Sequence, residues 1–544
     1  MKEILNFASL NFLAFVSVTI LLYFLFPLKK QKWVVLLVSS YTFYLLAGYK
    51  YAYFIVFTTI TTYLTALWLD RISKNSKVKI KQNKAQWSRE EKKKYKSSIK
   101  IKKRLVMALV LVVNFGILGF LKYYNFFSGS LNDVLGVFGV SFSAPTLNLV
   151  LPLGISFYTF QSMGYIVDVY REKVAAEKNP AKLALFVSFF PQIIQGPISF
   201  YDQLAHQLYE PHNFDFTRFK HGMELILWGF FKKLVIADRA VIAIQAFQKG
   251  NTDFGGTTIT FIILLYALQL YADFSGGIDI SRGIAQILGI DMVDNFKRPY
   301  FAKSINDYWR RWHITLGAWL KNYLFYPIAM SNVFINASKK MKNTKFGATK
   351  AGAHIAKVLP TSFASLVVFL VVGIWHGANW KYVAFGLWNG LIIMISILLK
   401  PVFDWTLAKL RINPKSFLYG VFQMFRTFIV VIIGYVFDVA LNFTGSMRML
   451  KRAVFNQNFA EGWSQISNFG LGKKDYLILL MGALVIFVVS VIQERNSTTT
   501  LREILDKKSI LVRWSLIFVC LVTILIFGIY GPGYNPAEFV YAQF

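Results

Sequence analysis

Apolar runs of bilayer-crossing length recur along this whole sequence, and they constrain its fold more than any other feature. In hydrocarbon every backbone N–H and C=O must find a partner within the protein, so a spanning segment is a helix or part of a closed barrel. A helix needs roughly 20 mostly apolar residues to cross. Leu10–Phe26, Trp33–Leu46, Tyr51–Leu69 and Leu105–Leu121 come before residue 125. Leu149–Val167, Thr257–Phe274, Phe363–Gly373, Tyr382–Leu399, Phe417–Val439, Tyr476–Ile492 and Leu511–Tyr530 follow. These give an all-α polytopic membrane protein with about eleven spans, read as one membrane domain over residues 1–544. Only 16% of residues are charged and 55% are hydrophobic, whereas a soluble protein carries about a quarter charged residues. The first run continues to Phe26 with no small-residue cleavage site after it, so it reads as a span and not as a removed signal peptide.

Net charge is +33, from 60 Lys and Arg against 27 Asp and Glu. In a soluble chain this would suggest nucleic acid, but in a membrane chain Lys and Arg accumulate in cytoplasmic loops. The densest cluster, Arg71–Arg104, includes Lys92, Lys93, Lys94, Lys102 and Lys103. It reads as a basic cytoplasmic loop, in part helical, facing anionic membrane lipid. Nucleic acid is not an expected partner. With this loop inside, the N-terminus and Ser128–Thr146 fall outside, and Asp168–Lys173 falls inside. The middle is less regular. Leu183–Ile194 and Gly222–Ala237 are short and read as re-entrant. Asp273, Ser275, Gly276, Gly277 and Asp279 are expected to interrupt the span at Thr257–Phe274, because such polar backbone survives at membrane depth only beside protein or a wet cavity. The lone Cys520 allows no intrachain disulfide and no cysteine zinc site.

Two histidines stand in unusual settings. His313 lies in Asn306-Asp307-Tyr308-Trp309-Arg310-Arg311-Trp312-His313-Ile314-Thr315-Leu316. At helical spacing Trp309, Trp312, His313, Leu316 and Leu320 share one face, and Asp307 can pair with Arg310 or Arg311. A hydrogen-bonded structural histidine fits that pattern as well as a functional one does. His376 follows an apolar run in Leu370-Val371-Val372-Gly373-Ile374-Trp375-His376-Gly377-Ala378-Asn379-Trp380. Ionisable groups inside membrane segments are rare and usually line functional paths, and a buried imidazole stays neutral and able to accept a proton. Gly377 is expected to leave room for a substrate beside that ring. The alternative is a helix-end histidine bonded to a carbonyl. His206, His212, His221 and His354 read as loop residues, and no metal site is expected. The sequence contains no Gly-x-Ser-x-Gly elbow, no phosphate loop and no His-Glu-x-x-His. A membrane-embedded base without its own nucleophile suits transfer of an activated acyl group onto a hydroxyl.

Trp309–Leu316 together with Trp375-His376-Gly377 resembles the membrane-bound O-acyltransferase (MBOAT) family. Pro152–Arg171 (LPLGISFYTFQSMGYIVDVYR), Phe189–Pro197 (FFPQIIQGP) and Ala272–Pro299 with its DFSG and NFKRPY ends carry the same resemblance. The branch that looks most similar is the membrane subunit of bacterial alginate and peptidoglycan O-acetyltransferases. The resemblance implies a ring of helices and re-entrant pieces around a central tunnel, in a multi-pass bacterial plasma-membrane protein. It implies that His376 and His313 are catalytic and that Trp309, Trp312 and Trp375 line the tunnel. Asn379, Asp307 and Arg310 belong to the same tunnel set, with Asp307, Arg310 and Arg311 placed to brace the helix. Asp273 and Ser275 are weaker candidates, since a structural pairing of the Asp279–Arg282 kind explains that stretch as well. No bound cofactor is implied. The donor it implies is acetyl-CoA or another acyl thioester, and the acceptor it implies is a cell-surface polysaccharide. The branch usually works with an extracellular SGNH-type transferase, to which the acetyl group is handed. The aromatic tail at residues 534–544 offers Tyr541 as a transient acyl relay, against the simpler reading of an interfacial anchor.

Other readings remain open at this point. A D-alanyl transferase of the same family would act in teichoic-acid modification, and a lipid acyltransferase would use the same base. A non-enzymatic transporter would also have many spans, but transporters commonly show repeated halves and paired broken helices, and the sequence shows neither.

Overall fold

Long apolar runs with few internal prolines favour helix, and helix is what they form. The computed structural model describes residues 7, 9–140, 143–250, 254–496 and 498–530. Among these the only β pairing is an isolated antiparallel bridge between Phe296 and Trp312. Eight stretches are long and apolar enough to cross a membrane. One of them, Lys29–Gln82, holds two helices, Lys32–Gly48 and Ala52–Gln82, joined by a turn at Tyr49–Tyr51. The 16-residue helices Leu10–Leu25 and Ile155–Tyr170 reach only about 24 Å at 1.5 Å per residue, short of a roughly 30 Å hydrocarbon core. Splitting the one stretch and adding these two recovers all the segments expected from sequence.

The structure sharpens two expectations. The basic stretch 71–104, expected to be in part helical, is helical except at residues 83–88. The Ala52–Gln82 helix runs into it, and the 49-residue Arg89–Val137 helix begins inside it. Ser88 and Glu91 cap that second helix reciprocally, which satisfies two otherwise orphaned N–H groups. At about 74 Å this helix is far longer than a bilayer core. Likewise Asp273–Asp279 does not break its span, because Gly256–Ile287 is one continuous 32-residue helix. Gly276 serves close packing: a Cβ there would lie 2.9 Å from the Gly229 carbonyl oxygen. The carboxylates meet two lysines from a π-helical stretch, Phe231–Ala237. Lys233 Nζ reaches Asp273 (2.7 Å) and Asp238 (2.8 Å), and Lys232 Nζ reaches Asp279 (2.7 Å) and the Ser275 hydroxyl (2.8 Å). Buried charges persist when paired in this way.

The chain divides into two compact units, residues 1–223 with 281–293, and residues 224–280 with 294–544. In the first, the Ile155–Tyr170 helix packs against Ala52–Gln82 and Arg89–Val137. Glu172, just past its end, receives Lys77 (2.7 Å) and Lys103 (2.9 Å). In the second, Lys350–His376 and Trp380–Leu398 cross with their backbones touching. A Cβ on Gly373 would sit 2.3 Å from the Tyr382 carbonyl oxygen, and one on Gly386 would sit 2.4 Å from that of Phe369. Small residues permit this approach between membrane helices.

Gly386→Val is expected to cost about 1–3 kcal/mol by overpacking this crossing, read as a lower thermal midpoint of the detergent-solubilised protein; an unchanged midpoint would contradict the contact. The two lysines hold the Glu172 carboxyl near 2, below its ordinary 4.5. A depressed carboxylate stabilises fully above the unfolded value, and that contribution disappears as pH falls through the folded one. Glu172 is partly exposed, so the effect is at most about 1 kcal/mol. Glu172→Gln should therefore lower the midpoint slightly at pH 7 and flatten its decline between pH 4.5 and 2.

Candidate active site

The helix crossing fixes where His376 sits. His376 is the last residue of Lys350–His376, 6% exposed, and its ring meets Phe385 at 4.9 Å and Tyr382 at 6.2 Å between centroids. Both partners come from Trp380–Leu398. Gly377 does not leave space for substrate, contrary to expectation. A Cβ there would lie 2.4 Å from the Tyr382 ring, so the aromatic side chain already fills the position. Asn379 caps the next helix, its side chain accepting from the Lys381 N–H (3.0 Å).

His313 arrives by a different route. The expected continuous helix is broken into Ile305–Arg311 and Ile314–Leu320. Trp312 is extended and pairs with Phe296, and His313 takes a left-handed conformation at φ 45°. The Lys297 N–H donates to the Arg311 carbonyl (2.9 Å), and the Ile314 N–H donates to that of Asn295 (3.0 Å). Tertiary bonds thus override the helical pattern. Asn295 Oδ1 accepts from the Thr315 N–H (3.0 Å) and hydroxyl (2.9 Å), which identifies it as the amide oxygen. His313 Nδ1, 3.3 Å from the same atom, must then carry the proton and donate, making Nε2 the basic nitrogen. Burial, and next the proximity of His376, hold the His313 imidazole far below its ordinary pKa and therefore neutral. The two histidines flank one indole: Trp375 lies 5.9 Å from His313 and 5.4 Å from His376 between ring centroids.

A small cavity opens beside His376. Trp309, Trp312, Tyr308, Tyr435, Asn389 and Asp438 line it, with Leu270, Phe385 and Val431. Its volume of about 10 Å³ is room for roughly one water. The polar lining is held by hydrogen bonds. The Trp309 indole N–H donates to Asn389 Oδ1 (3.1 Å), and Asn389 Nδ2 donates to the Phe385 carbonyl (2.9 Å). The Tyr308 and Tyr435 hydroxyls meet at 2.6 Å. The structure thus gathers Trp309, Trp312 and His376 around one cavity, and the Trp375 ring contacts both His376 and His313. Asp307 and Arg310 lie elsewhere. Asp307 accepts from Arg311 (3.1 Å), which also reaches both Glu494 oxygens (3.1 and 3.0 Å), and Arg310 is exposed. Asp279 meets Lys232, while Arg282 donates to the Met292 carbonyl. Tyr541 falls outside the described residues.

Sequence reasoning missed Tyr308, Asn389, Tyr435, Asp438 and the anchor Asn295. Only Asp438 carried a signal, as the sole acid in the Phe417–Val439 run. The others are ordinary residues made polar neighbours by tertiary packing.

A helical membrane protein with two buried histidines on either side of an indole, beside a small polar cavity, is the class that fold and site define. The membrane-bound O-acyltransferase family model matches residues 173–349. The chain is 30% identical over 480 residues to the peptidoglycan O-acetyltransferase of Helicobacter pylori, covering 81% of this chain and 78% of that protein. It is 32% identical over 382 residues to the probable alginate O-acetylase AlgI of Pseudomonas aeruginosa, covering 70% of this chain and 65% of that one. To the teichoic acid D-alanyltransferase of Bacillus subtilis it is 29% identical over 264 residues, covering 46% and 60%. The match to AlgI thus spans just under two thirds of that relative's length. The chain belongs to the membrane-bound O-acyltransferase family.

Asn295→Ala removes the acceptor shared by Thr315 and His313 and should cost about 2 kcal/mol. Thermal unfolding in detergent should show the loss, and a wild-type midpoint would refute the anchoring role.

Proposed function

We propose that the chain is an O-acyltransferase of the bacterial plasma membrane that moves an acetyl group from a cytoplasmic thioester donor for O-acetylation of a cell-surface polysaccharide. An extracellular SGNH-type transferase receives the group and completes its delivery. The observation that carries this reading is His376. It is a buried imidazole on a water-sized cavity, in a chain related over most of its length to a peptidoglycan O-acetyltransferase.

The chemistry follows from that placement. An acceptor hydroxyl oxygen attacks the thioester carbonyl while His376 takes the hydroxyl proton. The C–S bond breaks as the new C–O bond is kept, and the imidazolium returns the proton to the departing thiolate. The apolar walls Leu270, Phe385 and Val431 limit water and so suppress hydrolysis of the donor. His313, held by Asn295 and separated from His376 by Trp375, supports the site from behind. Acetylation is favoured over D-alanylation because the acetyltransferase relative matches 81% of the chain and the D-alanyltransferase 46%.

The test measures ester-linked acetyl on surface glycans in a deletion strain carrying wild type, His376→Ala or His313→Ala. Loss of a general base costs about 10²–10⁴-fold, so His376→Ala should abolish acetylation while the protein still inserts, and His313→Ala should reduce it strongly. Equal acetyl content in wild type and His376→Ala would remove the proposed role, and alkali-released D-alanine in place of acetate would overturn the substrate.

A further inference from the structure

Asp438 is a buried acid for which the chemistry above gives no role. It sits near the end of Phe417–Val439, 9% exposed, and shares the cavity lining with His376. Its Oδ1 is buried and has no hydrogen-bond partner among the described residues. Leaving a carboxyl oxygen unmatched in apolar surroundings is costly, and buried groups left so in native proteins usually have a use beyond packing.

The backbone around Asp438 is held firmly. Lys381 Nζ donates to the main-chain carbonyls of Asp438 (3.0 Å) and Ala440 (2.6 Å), binding the exposed carbonyl end of the helix as a cation does. The same ammonium lies 4.8 Å from the Tyr382 ring, and that ring packs on Gly377 beside His376. Lys381 thus lies near Asp438 but places these hydrogen bonds on the backbone, and the Asp438 side chain lines the cavity. The neighbouring lining groups, Tyr308, Tyr435, Trp309 and Asn389, are already committed to one another. None of them carries a charge opposite to an imidazolium.

We propose that Asp438 is a positioning residue for acyl transfer, the counter-charge to the imidazolium formed when His376 takes the acceptor's proton. The inference rests on the acyltransferase reading above. Across the cavity both residues line, a carboxylate stabilises a cation far more in apolar surroundings than it would in bulk water. It keeps its own proton state through the step. The acceptor O–H proton goes to His376 and then to the thiolate, and Asp438 forms no bond to substrate.

The experiment compares wild type, Asp438→Asn and Asp438→Glu in membranes supplied with an acetyl thioester, following acetate ester formed and thiol released. Asparagine keeps the shape and removes the charge. It should lower kcat about 10- to 100-fold, with KM for the donor within about twofold and protein level unchanged, since an interaction made only in the transition state acts on kcat. Glutamate should recover part of kcat. A merely structural role would lower the folded amount or raise KM instead. Wild-type kcat in Asp438→Asn, alongside an active wild type, would overturn the counter-charge and leave the acyltransferase reading intact. Absence of ester and thiol from wild type itself would overturn both.

Discussion

The close crossing of Lys350–His376 and Trp380–Leu398 is the constraint on which the rest of the site depends. Gly373 and Gly386 bring two backbones into contact, and no larger side chain fits at either position. Because the first helix ends three residues beyond Gly373, the crossing sets the position of His376 directly. Because Tyr382, Phe385 and Asn389 lie on the second helix around the same crossing, it also sets the ring's neighbours. Water contributes little driving force for helix association inside a bilayer, so packing of this kind has to supply it. The histidine's environment is therefore a consequence of two glycines that touch no substrate.

A second constraint is the treatment of charge. Lys232 and Lys233 are buried, yet each meets carboxylates. Arg311 ties Asp307 to Glu494 and so steadies the short helix that carries Tyr308 and Trp309. These networks neutralise charges that could not otherwise remain in an apolar medium. Asp438 stands apart because its neighbouring cation is engaged by backbone carbonyls. An acid whose Oδ1 makes no hydrogen bond among the described residues departs from the pattern the other buried ion pairs of this unit follow, and it does so at the cavity that His376 also lines.

The sequence made the spans legible because hydropathy and length report directly on the solvent a helix will face. His376 was legible for the same reason, as a polar group in the wrong solvent. Where local pattern and tertiary bonding disagreed, pattern failed. Trp309–Leu320 has helical periodicity, but Asn295 and Phe296, nearly twenty residues away in sequence, supply bonds that split it at Trp312 and His313. Gly276 and Gly277 looked like helix breakers, although the helix runs through both and another backbone packs against Gly276. The lysine-rich stretch was expected to be only in part helical because charge suggests solvent, but lysine is a good helix former and Ser88 with Glu91 starts the second arm.

The cavity in this state accommodates about one water, and a thioester with an acceptor hydroxyl needs far more room. Its walls are held in different ways. His376 and Asn389 sit on the glycine crossing, where movement of either backbone meets the other at once. Trp309 and Tyr308 ride on a seven-residue helix that ends at Arg311, two residues before the left-handed His313, and the Tyr308 hydroxyl meets that of Tyr435. The break at His313, which sequence pattern did not reveal, thus ends a short helix whose Trp309 meets Asn389 of the crossing, and Arg311, bonded to Asp307 and Glu494, holds that helix in place.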